Sequence, residues 1–238
     1  MKTTLLVLAL SLNAFALGVQ GGRAIITGPH CNDGNTRVVF SPDNATFTIL
    51  YDELSTSTRD GVRSESAVHA PNKICRIRIP FTTARGKQVE LQQVDYRGFV
   101  SAPSDKAYGV IESKHRFPNG TVVVANGRWP SDRMLSGLLF FKQGPFQENV
   151  TWAARYSPTA SSPNMGLHVS LCDGAANLDI ETSIRAHSFD PADEVEVMLD
   201  SADATLGASA TYKVVEKNCD EVNRRRERVC RRGTCPQG

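Results

Sequence analysis

CRIRIPF (75–81), TTARGK (82–87) and QVELQQVDYRGFV (88–100) form one continuous stretch, and its reading decides the fold. In the first run Cys75, Ile77, Ile79 and Phe81 fall at every second position, with Arg76, Arg78 and Pro80 between them. Alternation of period two marks a strand with one face in a core. Six polar or turn-forming residues follow, and then a second β-rich run begins. The spacing predicts a hairpin with a cysteine fastened at its start. In the second run Val89 and Leu91 occupy odd positions, while Val94, Tyr96 and Val100 occupy even ones. The phase slips by one near Gln92 and Gln93. One extra residue there, a bulge, keeps both halves facing inward.

The same alternation recurs on both sides. Upstream, strands are expected over 24–27, 37–40 and 46–51, the last two joined by the turn Ser41-Pro42-Asp43-Asn44. Residues 52–73 are polar and show no clear period. A structureless loop of that length is uncommon in a compact domain and often functional; a solvated insertion without a task fits these residues equally well. Downstream, strands are expected over 108–113 and 121–125, turned by Phe117-Pro118-Asn119-Gly120. Residues 126–133 and 157–164 read as loops. The run 134–141 ends in four apolar residues, which predicts a central strand covered on both faces. Further strands are expected over 149–156, 166–172, 178–186, 195–199 and 210–215. About a dozen short strands, with no helix of ten residues or more beyond the leader, predict an all-β fold. Its architecture is a single antiparallel two-sheet β-sandwich stapled by disulfides.

The leader is read from Lys2, an apolar run over 5–12 and the small-residue pattern Ala14-Phe15-Ala16. The expected organisation is a signal peptide over 1–21, the sandwich over 22–219 and a basic tail over 220–238. The apolar run is too short to span a bilayer, and no later stretch is long enough, so no membrane span is expected. With 40% hydrophobic and 22% charged residues the chain suits one globular domain and excludes disorder. Residues 223–238 carry six arginines against Glu227, whereas 22–222 are mildly acidic. The tail reads as a polyanion-binding arm, a segment trimmed at its dibasic sites, or a solvated end. No aromatics interleave it, so nucleic acid is not an expected partner.

Six cysteines, Cys31, Cys75, Cys172, Cys219, Cys230 and Cys235, imply disulfides in an exported chain. Fifteen pairings exist. Joining neighbours in order gives Cys31–Cys75, Cys172–Cys219 and Cys230–Cys235. No C-x-x-C pair or close histidine pair occurs, so no zinc or other metal is expected. Sequons at Asn44, Asn119 and Asn149 point to a secreted, extracellular glycoprotein.

Chemistry is sparse. Asp179 and Glu181 share one strand face roughly 7 Å apart. Ser183 and Arg185 continue the row, which reads as a solvated face with local charge balance rather than a glycosidase pair. The five histidines show no ligand spacing, and no G-x-S-x-G elbow exists. No catalytic residue and no cofactor is therefore expected. Trp129, between Arg128 and Arg133, is the candidate binding group, able to stack on a sugar or anchor a protein contact.

Cys31, CRIRIPF from Cys75, VDYRGFV from Val94, LDIETSIRA from Leu178 and ATYKVVEKNC ending at Cys219 follow one order. That order resembles a family of small secreted fungal and bacterial proteins, domain-of-unknown-function family 4360, over about residues 25–219. The resemblance implies a disulfide-bearing β-domain without an established reaction. It lends no catalytic residues, and the arginine-rich tail with Cys230 and Cys235 departs from it.

The first expectation is a secreted, non-enzymatic glycoprotein that works by surface contact, with long loops on a rigid scaffold as its motive. With a fungal source, its concrete form is an effector-like protein that blocks a host extracellular hydrolase or protease by inserting a loop. The second is a cell-wall glycan binder using Trp129, and the third a hydrolase of unrecognised type.

Overall fold

The computed structural model describes residues 19–118, 121–124, 127–130, 135–155, 167–172, 174–199 and 209–220. For 121–124, 127–130, 135–142, 152, 154–155 and 167–168 it describes the backbone alone. The chain forms two antiparallel sheets. Helical geometry among the described residues is limited to a 3-10 turn at Thr58–Asp60 and two residues, 219–220, after the last strand.

The spine of the first sheet is the 14-residue strand Ala175–Ser188. Lys73–Thr82 pairs along one edge of it and Ala107–Arg116 along the other. Ile25–Thr27 adds to Lys73–Thr82 from outside, and Leu135–Gln143 adds to Ala107–Arg116. The spine of the second sheet is the 16-residue strand Lys87–Ala102. One edge pairs with Phe146–Arg155 and Leu167–Val169, the other with Ser209–Asn218 and Glu196–Leu199. Thr46–Tyr51 and Thr36–Phe40 extend this sheet beyond Ser209–Asn218.

The period-two positions meet between the layers. Ile77, Ile79, Phe81, Leu178, Ile180 and Ile184 face Val89, Leu91, Val94 and Val100, all buried. Phe47 stacks on Tyr212 at 4.7 Å and contacts Phe81 across the sheets. The bulge lies where the phase slip puts it. Lys213 pairs with Gln93 and Val214 with Leu91, so Gln92 is the extra residue. Side chains from both halves of the strand therefore reach the core.

The hairpin expected over 75–100 does not form. Lys73–Thr82 belongs to the first sheet and Lys87–Ala102 to the second. The connection 83–86 crosses between layers instead, with Gly86 at φ 76° in the left-handed region. Four residues reach the roughly 10 Å between packed sheets. Alternation specifies an inward face, and both layers offer the same inward face, so it does not choose the partner. The same correction applies to 108–125. Ala107–Arg116 lies in the first sheet, and Thr121–Val124 in the second, beside Gly127–Pro130 and Leu167–Val169.

Three further expectations are corrected. Residues 52–73 are not structureless: Leu54–Ser57 pairs with Glu196–Leu199, and Val68–His69 pairs with both Val62–Arg63 and the end of the Ala175–Ser188 spine. Leu54, Thr56 and Thr58 alternate into the interior. The Thr58 hydroxyl donates to the Asp193 carbonyl and accepts from the Val195 amide, so the buried threonine is satisfied. Counting threonine as polar hid this period. Residues 127–130 are strand rather than loop. Leu135–Gln143 is not central; among the described residues it pairs only with Ala107–Arg116. An apolar run signals a strand, not its place in the sheet.

Two disulfides form as expected, Cys31–Cys75 and Cys172–Cys219. Cys230 and Cys235 lie outside the described residues.

Candidate functional site

The solvent face of the first sheet collects the outward halves of three alternating strands. Lys73–Thr82 contributes Arg76 and Arg78, Ala107–Arg116 contributes Glu112, Lys114 and Arg116, and the spine between them contributes Asp179, Glu181 and Arg185. Register turns these into rows. Asp179 is opposite Arg78 on one side and Arg116 on the other; Glu181 is opposite Arg76 and Lys114.

Each carboxylate is shared by two cations. Arg78 donates to Asp179 twice, Nε to Oδ1 at 2.6 Å and Nη2 to Oδ2 at 3.1 Å, and Arg116 reaches Oδ2 at 3.2 Å. Arg76 Nε donates to Glu181 Oε2 at 2.7 Å, and Lys114 lies 3.7 Å from Oε1. Glu112 takes Lys114 at 3.5 Å and Arg185 at 3.3 Å. Asp179 holds the Arg78 pKa above its ordinary value through these hydrogen bonds and its charge. The row is ion-paired, but its partners come from neighbouring strands and its cations outnumber the carboxylates five to three.

The network is layered in depth. The side chains of the three carboxylates are 12–19% exposed, while the five cations are 30–54% exposed. The acids lie at the floor and the cationic heads lie above them.

The far end of the same face is aromatic. His187 stands between Tyr108, at 4.8 Å between ring centres, and Phe189, at 4.5 Å edge-on. Phe189 is 61% exposed. His69, brought opposite His187 by strand pairing, lies with its Nδ1 2.7 Å from the Nδ1 of His187. Burial, and next the neighbouring His69 charge, lower the His187 pKa. Recesses of about 260 Å³ beside Arg78 and about 430 Å³ beside Tyr108 mark the two ends of the face. From Asp179 to His187 the spine runs eight residues, roughly 27 Å.

A second polar cluster is sealed in the core. The Tyr96 hydroxyl is shared with Ser113, His115 Nε2 at 2.9 Å and the Tyr212 hydroxyl at 2.7 Å, and Tyr51 bonds Thr182 at 3.1 Å. Burial raises the pKa of Tyr51 and of Tyr212, so both stay neutral donors. This cluster ties the two sheets together, and its members are 0–1% exposed. The Ser104 and Ser188 hydroxyls both donate to Asp193, with no histidine in that set.

Of the residues singled out from the sequence, Arg133 lies outside the described residues. Arg128 and Trp129 sit in the strand Gly127–Pro130, opposite Val123 and Val122, with only their backbone described. Asn149 is exposed on the second sheet, and Asn44 occupies a left-handed turn position at φ 53°. Asn119 lies outside the described residues. Among the described residues no group of three or more metal-ligating side chains forms. Sequence reasoning gave Phe189, Tyr108, His69 and His187 no part. The only signal was that His187 continues the outward phase of the 178–186 run.

No curated protein matches the chain. Among solved structures, TmCBM61 in complex with β-1,4-galactotriose aligns with a TM-score of 0.22 and 6% identity, covering 82% of this chain and 88% of that one. The sequence profile of one family spans residues 22–219, ending at the second half of the Cys172–Cys219 bridge. The chain belongs to that family, the domain of unknown function DUF4360.

Proposed function

We propose that the protein is an exported, non-catalytic glycan-binding protein that lays an extended saccharide along the solvent face of its first sheet. The observation that carries this reading is the face itself: strand-long, open, fixed by a charge network, and ended by the His187–Tyr108–Phe189 aromatic cluster. Sugar rings present C–H faces to aromatic rings and hydroxyls to charged groups, so such a surface offers both contacts. The two disulfides and the leader pattern support export. Asp179 and Glu181 are each clamped by two cations, which supports a binding rather than a proton-transfer role.

The loop-insertion reading, in which the protein blocks an extracellular hydrolase, loses part of its motive. Residues 52–73 are tied into both sheets. Loop 157–164 lies outside the described residues.

The test is a pull-down on insoluble polysaccharides with the mature protein and Phe189→Ala. Retention by at least one polysaccharide is expected, and about a tenfold loss in the variant, the scale of one buried aromatic contact. Capture of an extracellular protein instead, untouched by Phe189→Ala, would move the function to protein contact.

A further inference from the structure

The charged part of the face has a donor and acceptor asymmetry. All six oxygens of Asp179, Glu181 and Glu112 are engaged by cations of the network. Each guanidinium carries five N–H groups, and the network uses only one or two of each toward the floor. What projects from the surface is therefore mostly donors, with acceptors withheld beneath. Five cations against three carboxylates leave a surplus of two positive charges on this patch. A neutral sugar hydroxyl is matched best by mixed donors and acceptors. A carboxylate asks for donors only, and the planar fork of arginine fits it in two bonds.

We propose that the saccharide bound here is a linear polyuronic acid, whose carboxylates accept from the outward N–H groups of Arg76, Arg78, Arg116 and Arg185. The inference rests on the glycan-binding reading above and narrows its ligand class. Arg76 and Arg78 alternate along one strand at roughly 7 Å, and the strand of Arg116 lies two strand spacings, roughly 10 Å, away. An extended chain crossing these rows meets a cation at each step. Pre-paired arginines also lose little freedom on binding, because the floor carboxylates already hold their heads in place.

The test is calorimetric titration of the mature protein with polygalacturonate oligomers and with the same oligomers fully methyl-esterified, at two salt concentrations. The acid form is expected to bind at least about tenfold more tightly, and to weaken as added salt screens the contact. Arg76→Gln and Arg78→Gln should each weaken it several-fold. Each leaves its floor carboxylate a second cation, Lys114 or Arg116, so the fold stays intact. Arg97→Gln, on the second sheet, and the tail variant Arg224→Gln/Arg225→Gln/Arg226→Gln should keep the preference for the acid. Equal binding of acid and ester overturns the proposal. So does equal binding of a DNA duplex, or loss in the tail variant alone. Binding of neutral glycans only would sink this inference and leave the glycan reading standing; retention by no polysaccharide sinks both.

Discussion

His187 shows how one position can be an ordinary outward residue in the sequence and a distinctive one in the fold. The residue is 6% exposed, its ring packed among Tyr108, Phe189 and His69, with Nε2 buried and unpartnered. Burial first, and then His69, disfavour its protonated form. The folded protein therefore resists a proton that the unfolded chain accepts near the ordinary value of 6.5. This stabilising difference is fully present above that pH and is lost as pH falls through it toward the folded pKa. Chemical-denaturation midpoints should drop on going from pH 7.5 to pH 5, and His187→Asn should flatten that drop. Equal pH sensitivity in both proteins would remove His187 as the cause. The bystander on this face, Ser183, is mostly buried between Glu112 and Ile74 in register, and its hydroxyl has no assigned part.

At the level of the strand, the period-two pattern decides more than the turns do. In Ala107–Arg116 the inward positions run Ala107, Gly109, Ile111, Ser113 and His115. Gly109 marks a close approach of the two sheets: a Cβ there would lie 2.5 Å from Val100 Cγ1 and 2.7 Å from Val197 Cγ2. Branched side chains on two strands of the opposite layer cannot both retreat. Gly109→Ala should destabilise the fold by about 1–3 kcal/mol through overpacking, read as a lower denaturation midpoint with an unchanged slope. A neutral or stabilising result would show that the layers are more loosely packed there. The strand also carries Lys114 and Arg116 outward, so one element supplies core on one face and cations of the charge network on the other.

For the whole molecule, the two disulfides act on different layers. Cys31–Cys75 closes 44 residues and pins the N-terminal segment to the first strand of the charged face; Cys172–Cys219 closes 47 and joins two strand ends of the second sheet. Closure of loops this long restricts the unfolded chain by roughly 3–4 kcal/mol each in the chain-entropy model. The double variant Cys31→Ala/Cys75→Ala should lose about 2–5 kcal/mol of stability. Because Cys75 adjoins Arg76, it should also weaken the proposed binding of a polyuronate. A melting temperature unmoved by the variant would mean that the sheets hold without the clamp.

Several features were legible in the residues alone: the all-β class, the inward faces, the bulge at Gln92 and two cysteine pairings. Each follows from local rules, since alternation and phase are written along one strand and cannot depend on what lies across from it. Which strands pair was not legible. Two layers share one inward pattern, so 75–100 read as a hairpin when it is a crossing between sheets. The charged face was visible only in halves, as outward residues on 73–82, 107–116 and 175–188. Register alone put Asp179 between Arg78 and Arg116, and set His187 beside His69 and Tyr108, because long-range pairing brings together residues that no local spacing connects.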